Sequence, residues 1–190
     1  MNLPNVLTIS RIVLAIVLVF LLEEGSLTGN ILAVIVFTTA SLTDFCDGHF
    51  ARTKGSVSNF GKIMDPVADK ILLLSAFGVL AHIGRIAWWM FIVIAVREIL
   101  VTASRLMIMR QGQVLAAESA GKIKTVVQII AVSAILIYLV VQQSCQAAHS
   151  EYWIFWFSIV QRIWLGLNDV LMLAAVILTV YSGIDYFRKK

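Results

Sequence analysis

The stretch DFCDGHFARTKGSVSNFGKIMDPVAD, residues 44–69, places four aspartates in a chain that is otherwise strongly apolar. Residues three, four, seven and eight apart share one face of a helix. Asp44 and Asp47 therefore share one stripe, and Asp65 and Asp69 share a second. The polar residues 53–60 are able to reverse the chain. The sequence thus predicts a helical hairpin whose two acidic stripes face each other.

The composition around this stretch is that of a membrane protein. Of the 190 residues, 60% are hydrophobic and 14% are charged, whereas soluble domains are about 45–50% apolar and about 25% charged. The mean hydropathy is +0.92. Cys46 and Cys145 have no disulfide or zinc-site spacing. The net charge of +4 favours anionic lipid as a neighbour, and nucleic acid is not an expected partner because no soluble basic domain is present.

The apolar runs predict an all-α membrane fold of six transmembrane helices in a single domain, residues 1–190, because open sheet edges are not tolerated in lipid. The first run lacks a small-residue cleavage site and is predicted to be a retained helix. The aromatic segment Tyr152–Leu165 predicts a helix at the membrane–water boundary, or alternatively the start of a longer sixth crossing. The predicted spans are Asn5–Leu22, Gly29–Arg52, Gly61–Ile83, Ala87–Met109, Gly121–Val141 and Asn168–Phe187.

The basic residues predict the orientation of these helices. With six crossings, one side of the membrane holds only Arg85 and Arg162 as basic residues. The positive-inside rule makes the opposite side cytoplasmic, with both termini inside. The four aspartates then lie at the cytoplasmic surface. The basic residues predicted on the cytoplasmic side are Arg11, Arg52, Lys54, Lys62, Lys70, Arg105, Arg110, Lys122, Lys124, Arg188, Lys189 and Lys190.

The acidic stripes have the chemistry of a divalent metal site. Four carboxylates do not stay ionised together in a low dielectric without cations, and Arg52 supplies one positive charge. Hard oxygen ligands favour Mg²⁺, Mn²⁺ or Ca²⁺ over zinc or copper. Two bridged ions would balance the charge, an arrangement typical of phosphoryl chemistry, and Gly48 and Gly61 would let a phosphate approach the backbone. Structural acids and helix-packing glycines are the alternative interpretation.

The same residues resemble the signature of a known family. They read D-x2-D-G-x2-A-R-x8-G-x3-D-x3-D, from Asp44 to Asp69, which is similar to the CDP-alcohol phosphotransferase family. The resemblance implies a six-helix integral membrane enzyme that displaces CMP from a CDP-linked alcohol with the hydroxyl of a second alcohol. The outer segments LPNVLTISRI, VREILVTASRL, GKIKT and YSGIDYF resemble bacterial phosphatidylglycerophosphate synthases of that family.

This closer resemblance implies CDP-diacylglycerol as donor and sn-glycerol 3-phosphate as acceptor. It also implies a homodimer in the bacterial cell (inner) membrane, with its active site facing the cytoplasm. It implies two Mg²⁺ or Mn²⁺ ions on Asp44, Asp47, Asp65 and Asp69. Asp69 is the candidate general base, or alternatively only a metal ligand. Asn5 and Thr8 can also be read as a plain helix start after Pro4. The expected CDP-binding residues are Asn5, Thr8, Asp44, Asp47, Gly48, Ala51, Arg52, Gly61 and Asp65.

The acceptor carries a phosphate of its own, which needs further cations. Arg105, Lys122 and Lys124 flank the predicted turn between the fourth and fifth helices and are the candidates, with Arg110 in reserve. Arginine suits a bidentate grip on phosphate oxygens, although the positive-inside rule would place basic residues there for topology alone.

Arg97 and Glu98 lie deeper in the fourth helix. Neighbours in sequence do not face each other on a helix, so each is predicted to pair with another helix. Arg97 and Arg105 are eight residues apart and are predicted to share a helix face aimed at the interior of the bundle.

Two other functions fit part of this pattern. The first is an enzyme with the same donor and a different acceptor, such as inositol phosphate, serine or a phospholipid, because the signature concerns only the CDP half of the reaction. The second is a divalent-cation transporter that uses the aspartates as its transport site. A transport site is expected near the bilayer midplane, whereas these acids cluster at one end of the predicted bundle.

Overall fold

The computed structural model describes residues 3–50, 59–110, 119–147 and 151–188, and the side chains of residues 9–43, 70–108, 121–147, 155 and 157–188. Over these ranges the fold is all-helical, with six helices, as the sequence predicts. The helices are α1 Leu3–Glu24, α2 Leu27–Phe50, α3 Asn59–His82, α4 Trp88–Arg110, α5 Ser119–Ala147 and α6 Glu151–Arg188.

Two tight turns join the first four helices in pairs. α1 ends before Gly25, which adopts a φ of 65°, and the Ser26 hydroxyl then caps α2 by accepting a 2.9 Å bond from the Gly29 amide. α3 ends at His82 and is followed by Gly84 at a φ of 72°, where the Arg85 amide donates to the Leu80 carbonyl at 2.8 Å. This is a Schellman-type cap. Glycine adopts the left-handed backbone without a Cβ penalty, so both chain reversals are encoded locally.

The central helix of the bundle is α3, which packs against α1, α4 and α5. Ala76, Phe77 and Leu80 of α3 are buried against core residues such as Leu18 and Leu136 of the neighbouring helices. The small alanine lets the helices approach closely, as in membrane helix packing. α5 completes the bundle by packing against α2, α3 and α6.

The outer surface of α6 is apolar. Ile163, Val170, Ile177 and Ile184 recur every seven residues along one exposed stripe. Such a long apolar stripe is unusual on a soluble monomer and suits contact with lipid. Among the described residues, Gly121–Ala147 and Phe157–Arg188 are long and apolar enough to cross a membrane.

α6 is one continuous helix of 38 residues. At 1.5 Å per residue it is about 57 Å long, which exceeds the roughly 30 Å hydrocarbon core. Tyr152–Leu165 lies in the first half of this helix, and both predicted positions of the segment, at the membrane–water boundary or as the start of a longer sixth crossing, stay predictions. This half packs along α5, where the Tyr138 hydroxyl accepts a 3.1 Å bond from Gln161 and the Tyr138 ring lies 6.0 Å from that of Trp164.

Candidate functional site

The four aspartates lie on two helices at the same end of the bundle. Asp44 and Asp47 belong to the last two turns of α2, and Asp65 and Asp69 belong to the first half of α3. Only the eight residues 51–58 separate the two helices, and α1 and α5 each pack against both of them. The four aspartates therefore lie on the two helices that flank residues 51–58, whereas the prediction that their two acidic stripes face each other stays a prediction.

The side-chain geometry of the signature lies outside the described residues, so the metal and CDP ligands stay predictions. Carboxylate oxygens are nonetheless the donors that suit Mg²⁺ or Mn²⁺. Over the part of the chain that the structure describes, no group of three or more His, Cys, Asp or Glu side chains is placed to hold a metal. The predicted metal- and CDP-binding residues whose side chains lie outside the described part of the chain are Asn5, Thr8, Asp44, Asp47, Gly48, Ala51, Arg52, Gly61, Asp65 and Asp69.

A buried cluster of charges lies next along α3. It comprises Lys70 of α3, Arg97 and Glu98 of α4, and Lys124 of α5, and is called the Glu98 cluster below. One carboxylate oxygen of Glu98, Oε1, accepts a bond from the Lys124 ammonium and lies 3.5 Å from Nη1 of Arg97. The other, Oε2, lies 3.5 Å from Nζ of Lys70. The prediction that Glu98 pairs with another helix is confirmed, since it contacts both α3 and α5.

Among the side chains that the structure describes, the cluster holds more cationic groups than carboxylates. Its four side chains hold three cationic groups and one carboxylate. The Glu98 and Lys124 side chains are 4% and 2% exposed, whereas that of Lys70 is 30% exposed. Burying charges is costly unless they are paired, so an excess of cations favours the approach of an anion. Phosphate oxygens are strong acceptors for such donors.

Arg97 joins the cluster to α6. Its Nη2 donates to the Ser182 hydroxyl at 2.7 Å, which confirms the prediction that Arg97 pairs with another helix. Gly183, the next residue, leaves room for the arginine stem, because a Cβ at that position would lie 3.1 Å from Cγ of Arg97. The segment YSGIDYF thus forms a surface that receives α4.

The remaining acceptor candidates are dispersed. Arg105 is exposed, and its guanidinium lies over the ring of Tyr186 at 5.5 Å, a cation–π geometry. Arg97 and Arg105 both contact α6, as expected for two residues on one face, but the prediction that this face is aimed at the interior is wrong for Arg105, which is exposed. Lys122 is exposed, and the side chain of Arg110 lies outside the described residues. Of the four candidates, Lys124 is the one that belongs to the Glu98 cluster.

Lys70 belongs to the Glu98 cluster, whereas in the sequence it indicated only the orientation of the helices. Its position immediately after Asp69 was the available signal. A lysine beside the last aspartate of a phosphoryl-transfer signature is a candidate phosphate ligand as well as a topology marker. Sequence alone gave no reason to connect it with Glu98, which lies on the next helix.

Comparisons with known proteins agree with the signature. A family model described as CDP-alcohol phosphatidyltransferase matches residues 1–181. The chain is 36% identical over 200 aligned residues to the CDP-diacylglycerol--glycerol-3-phosphate 3-phosphatidyltransferase of Bacillus subtilis (strain 168), covering 99% of this chain and 94% of the relative.

Two further relatives are aligned over nearly all of this chain. A probable phosphatidylglycerophosphate synthase of Mycobacterium tuberculosis (strain ATCC 25618 / H37Rv) is 35% identical, over 99% of this chain and 81% of the relative. The CDP-diacylglycerol--glycerol-3-phosphate 3-phosphatidyltransferase of Rickettsia typhi is 29% identical, over 98% of this chain and 96% of the relative. With the signature, the helical fold and a family match over almost the whole chain, the protein belongs to the CDP-alcohol phosphatidyltransferase family of helical membrane proteins.

Proposed function

We propose that this protein transfers the phosphatidyl group of CDP-diacylglycerol to sn-glycerol 3-phosphate, giving phosphatidylglycerol phosphate and CMP. The observation that carries the proposal is similarity over almost the whole chain to relatives named for this reaction. The uninterrupted aspartate signature, from Asp44 to Asp69, supports the same chemistry.

The aspartates suit a site for the donor pyrophosphate. Two Mg²⁺ or Mn²⁺ ions would be held by the four carboxylates of Asp44, Asp47, Asp65 and Asp69. When bound, these ions would neutralise negative charge on the pyrophosphate and on the departing CMP. Gly48 and Gly61 would allow the CDP group to approach the backbone closely. The other CDP-binding residues of the proposal are Asn5, Thr8, Ala51 and Arg52.

Asp69 is the proposed general base. It would take the proton of the glycerol 1-hydroxyl, whose oxygen then attacks the β-phosphorus. The bond from that phosphorus to the bridging oxygen breaks, and CMP leaves with the oxygen. A base is effective when it lies within hydrogen-bond reach of the proton that it removes, and α3 carries Asp69 on the turn where the Glu98 cluster begins.

The acceptor phosphate is proposed to bind on the basic side of the same region. Lys124, Arg105 and Lys122, with Arg110 in reserve, supply the candidate cations, and the positive excess of the Glu98 cluster supports this location. The proposal places all six helices across the bacterial inner membrane, in one domain and as a homodimer, with both termini and the active site on the cytoplasmic side. The diacyl chains then stay in the bilayer throughout the reaction.

The test is CMP release by the purified protein supplied with CDP-diacylglycerol and Mg²⁺, adding each acceptor in turn. We expect turnover with glycerol 3-phosphate and its loss in Asp65→Ala and in Asp69→Ala. Asp169→Asn is a matched control, because Asp169 is an exposed acid on α6. Robust turnover in either aspartate variant would contradict its role. Turnover with serine or inositol phosphate alone would support the same donor and a different acceptor.

A further inference from the structure

Lys70 is the accessible cation of the Glu98 cluster. Its side chain is partly exposed, whereas Glu98 and Lys124 are buried. Lys124 is a poor direct contact for an incoming anion, because its ammonium is enclosed and donates to Glu98. A molecule that approaches the cluster from outside therefore meets Lys70 before it meets Lys124.

Glu98 divides its two carboxylate oxygens between the two lysines. Oε1 contacts Lys124 and Oε2 contacts Lys70 at 3.5 Å. Without a shared carboxylate, two ammonium groups from α3 and α5 would repel each other and move apart. Glu98 therefore determines where the Lys70 ammonium lies, and its own position is determined by burial and by its contacts with α5 and with Arg97.

Lys70 also follows Asp69 directly on α3. Consecutive Cα atoms are about 3.8 Å apart, so the proposed base and this cation belong to one helical turn. Glycerol 3-phosphate is a short molecule with a reacting hydroxyl at one end and a phosphate monoester at the other. Because neighbours in sequence point in different directions on a helix, the two residues would contact different ends of this acceptor.

We propose that the Lys70 ammonium contacts the phosphate monoester of the acceptor, and that Glu98 is a positioning residue that orients Lys70. The inference rests on the proposed function for the identity of the acceptor. It replaces the direct phosphate contact proposed above for Lys124 with the role of a buried partner that keeps Glu98 in place. The alternative role for all three side chains is helix packing alone.

The first test compares the two substrates in steady-state kinetics. Hydrogen bonds to charged groups are worth about tenfold or more in binding. Lys70→Gln should therefore raise the KM for glycerol 3-phosphate at least about tenfold and leave the KM for CDP-diacylglycerol within about twofold of wild type. Lys70→Arg should restore most of the loss, because it keeps the charge. Glu98→Gln should also raise the KM for glycerol 3-phosphate.

Thr179→Val is the matched control for packing. Thr179 is buried on α6 and accepts a 2.9 Å bond from Gln128 of α5, so this variant removes a buried contact between helices without changing any charge. We expect both KM values to stay at their wild-type levels. An acceptor-selective rise in the control as large as that in Lys70→Gln would assign the effect to packing and overturn the inference.

Other outcomes also overturn it. Equal rises of both KM values in Lys70→Gln would indicate a structural lysine. A fall in the acceptor KM in Glu98→Gln would show that Glu98 opposes the phosphate instead of positioning its ligand. Lys70 is partly exposed, so its variants test the proposal even where Glu98→Gln does not fold.

A binding measurement separates the inference from the proposed function. Inorganic phosphate is titrated against the detergent-purified full-length protein. We expect wild type to bind phosphate and Lys70→Gln to bind it at least about tenfold more weakly. The protein could bind phosphate in a way that depends on Lys70 and yet release no CMP with glycerol 3-phosphate. That result would overturn the proposed function and leave the phosphate site in place. Normal turnover with binding and KM unchanged in Lys70→Gln would sink the inference alone.

Discussion

Gly183 is the point at which α6 accommodates the side chain of Arg97. A Cβ built there would lie 3.1 Å from Cγ and 3.3 Å from Nε of Arg97, whereas comfortable contacts between carbon atoms are about 3.5–4.0 Å. Arg97 would have to retreat by a few tenths of an ångström. It is held by its 2.7 Å bond to Ser182, the residue beside Gly183. Gly183→Ala is therefore expected to destabilise the protein.

The magnitude follows from two opposing effects. Alanine is favoured over glycine in a helix interior by about 1 kcal/mol, and forcing an extra methyl group into a packed site costs about 1–3 kcal/mol. Gly166→Ala, on the same helix, isolates the first effect, because a Cβ at Gly166 would meet nothing within 4 Å. The two variants should therefore differ by about 1–3 kcal/mol in the free energy of unfolding.

The assay is thermal unfolding of the purified protein in detergent, followed by loss of the monodisperse species. For a chain of this size 1 kcal/mol corresponds to roughly 2–4 °C, so the Tm of Gly183→Ala should be several degrees below that of Gly166→Ala. The comparison is repeated with Arg97→Ala in both backgrounds. Once the arginine stem is absent, Gly183→Ala should behave like Gly166→Ala.

Two results would refute this reasoning. The first is a Tm for Gly183→Ala equal to or above that of Gly166→Ala, which would mean that Arg97 yields freely. The second is an undiminished penalty in the Arg97→Ala background, which would place the clash elsewhere. Non-additivity between the two sites is the expected signature of residues in direct contact.

The remaining predictions concern the metal, the acceptor and the far end of the bundle. Chelation should abolish CMP release, and added Mg²⁺ or Mn²⁺ should restore it; release that persists after chelation would contradict the metal assignment. Arg105→Ala should weaken acceptor binding more than donor binding, measured as the two KM values, and equal effects would indicate a structural arginine on Tyr186. Tyr138→Phe removes the 3.1 Å bond from Gln161 and should cost about 1 kcal/mol of stability, measured as Tm. CMP release should stay unchanged, because Tyr138 lies toward the end of α5 opposite Lys124; lost turnover would contradict this separation.

The helices could be predicted because hydrophobic length and glycine turns are local properties. α1 was predicted as Asn5–Leu22 and extends over Leu3–Glu24. The largest difference is at α6, which begins 17 residues before the predicted Asn168. Gln161 and Arg162 interrupt the apolar run in sequence. The structure continues the helix through them, since glutamine and arginine are good helix formers, and Gln161 donates to Tyr138 of α5.

For the charged residues of α4, the sequence predicts that each has a partner on another helix but not which residue that partner is. Helix geometry implied that Arg97 and Glu98 each pair with another helix, which they do through α6 and through α3 and α5, but the two side chains also approach each other to 3.5 Å. The identities of those partners depend on how each helix is rotated and how far it is shifted along its neighbour. Spacing within one helix contains no information about either quantity.

Sequence alone determined the class of the protein and the chemistry of its signature. Hydrophobicity requires helices in lipid, and the spacing of Asp44, Asp47, Asp65 and Asp69 places acids on two helix faces whatever the packing. Only the tertiary structure decided that Lys124 is enclosed while Lys70 remains accessible, with Glu98 between them. Burial and ion pairing arise where separate helices meet, so they are properties of the assembled bundle.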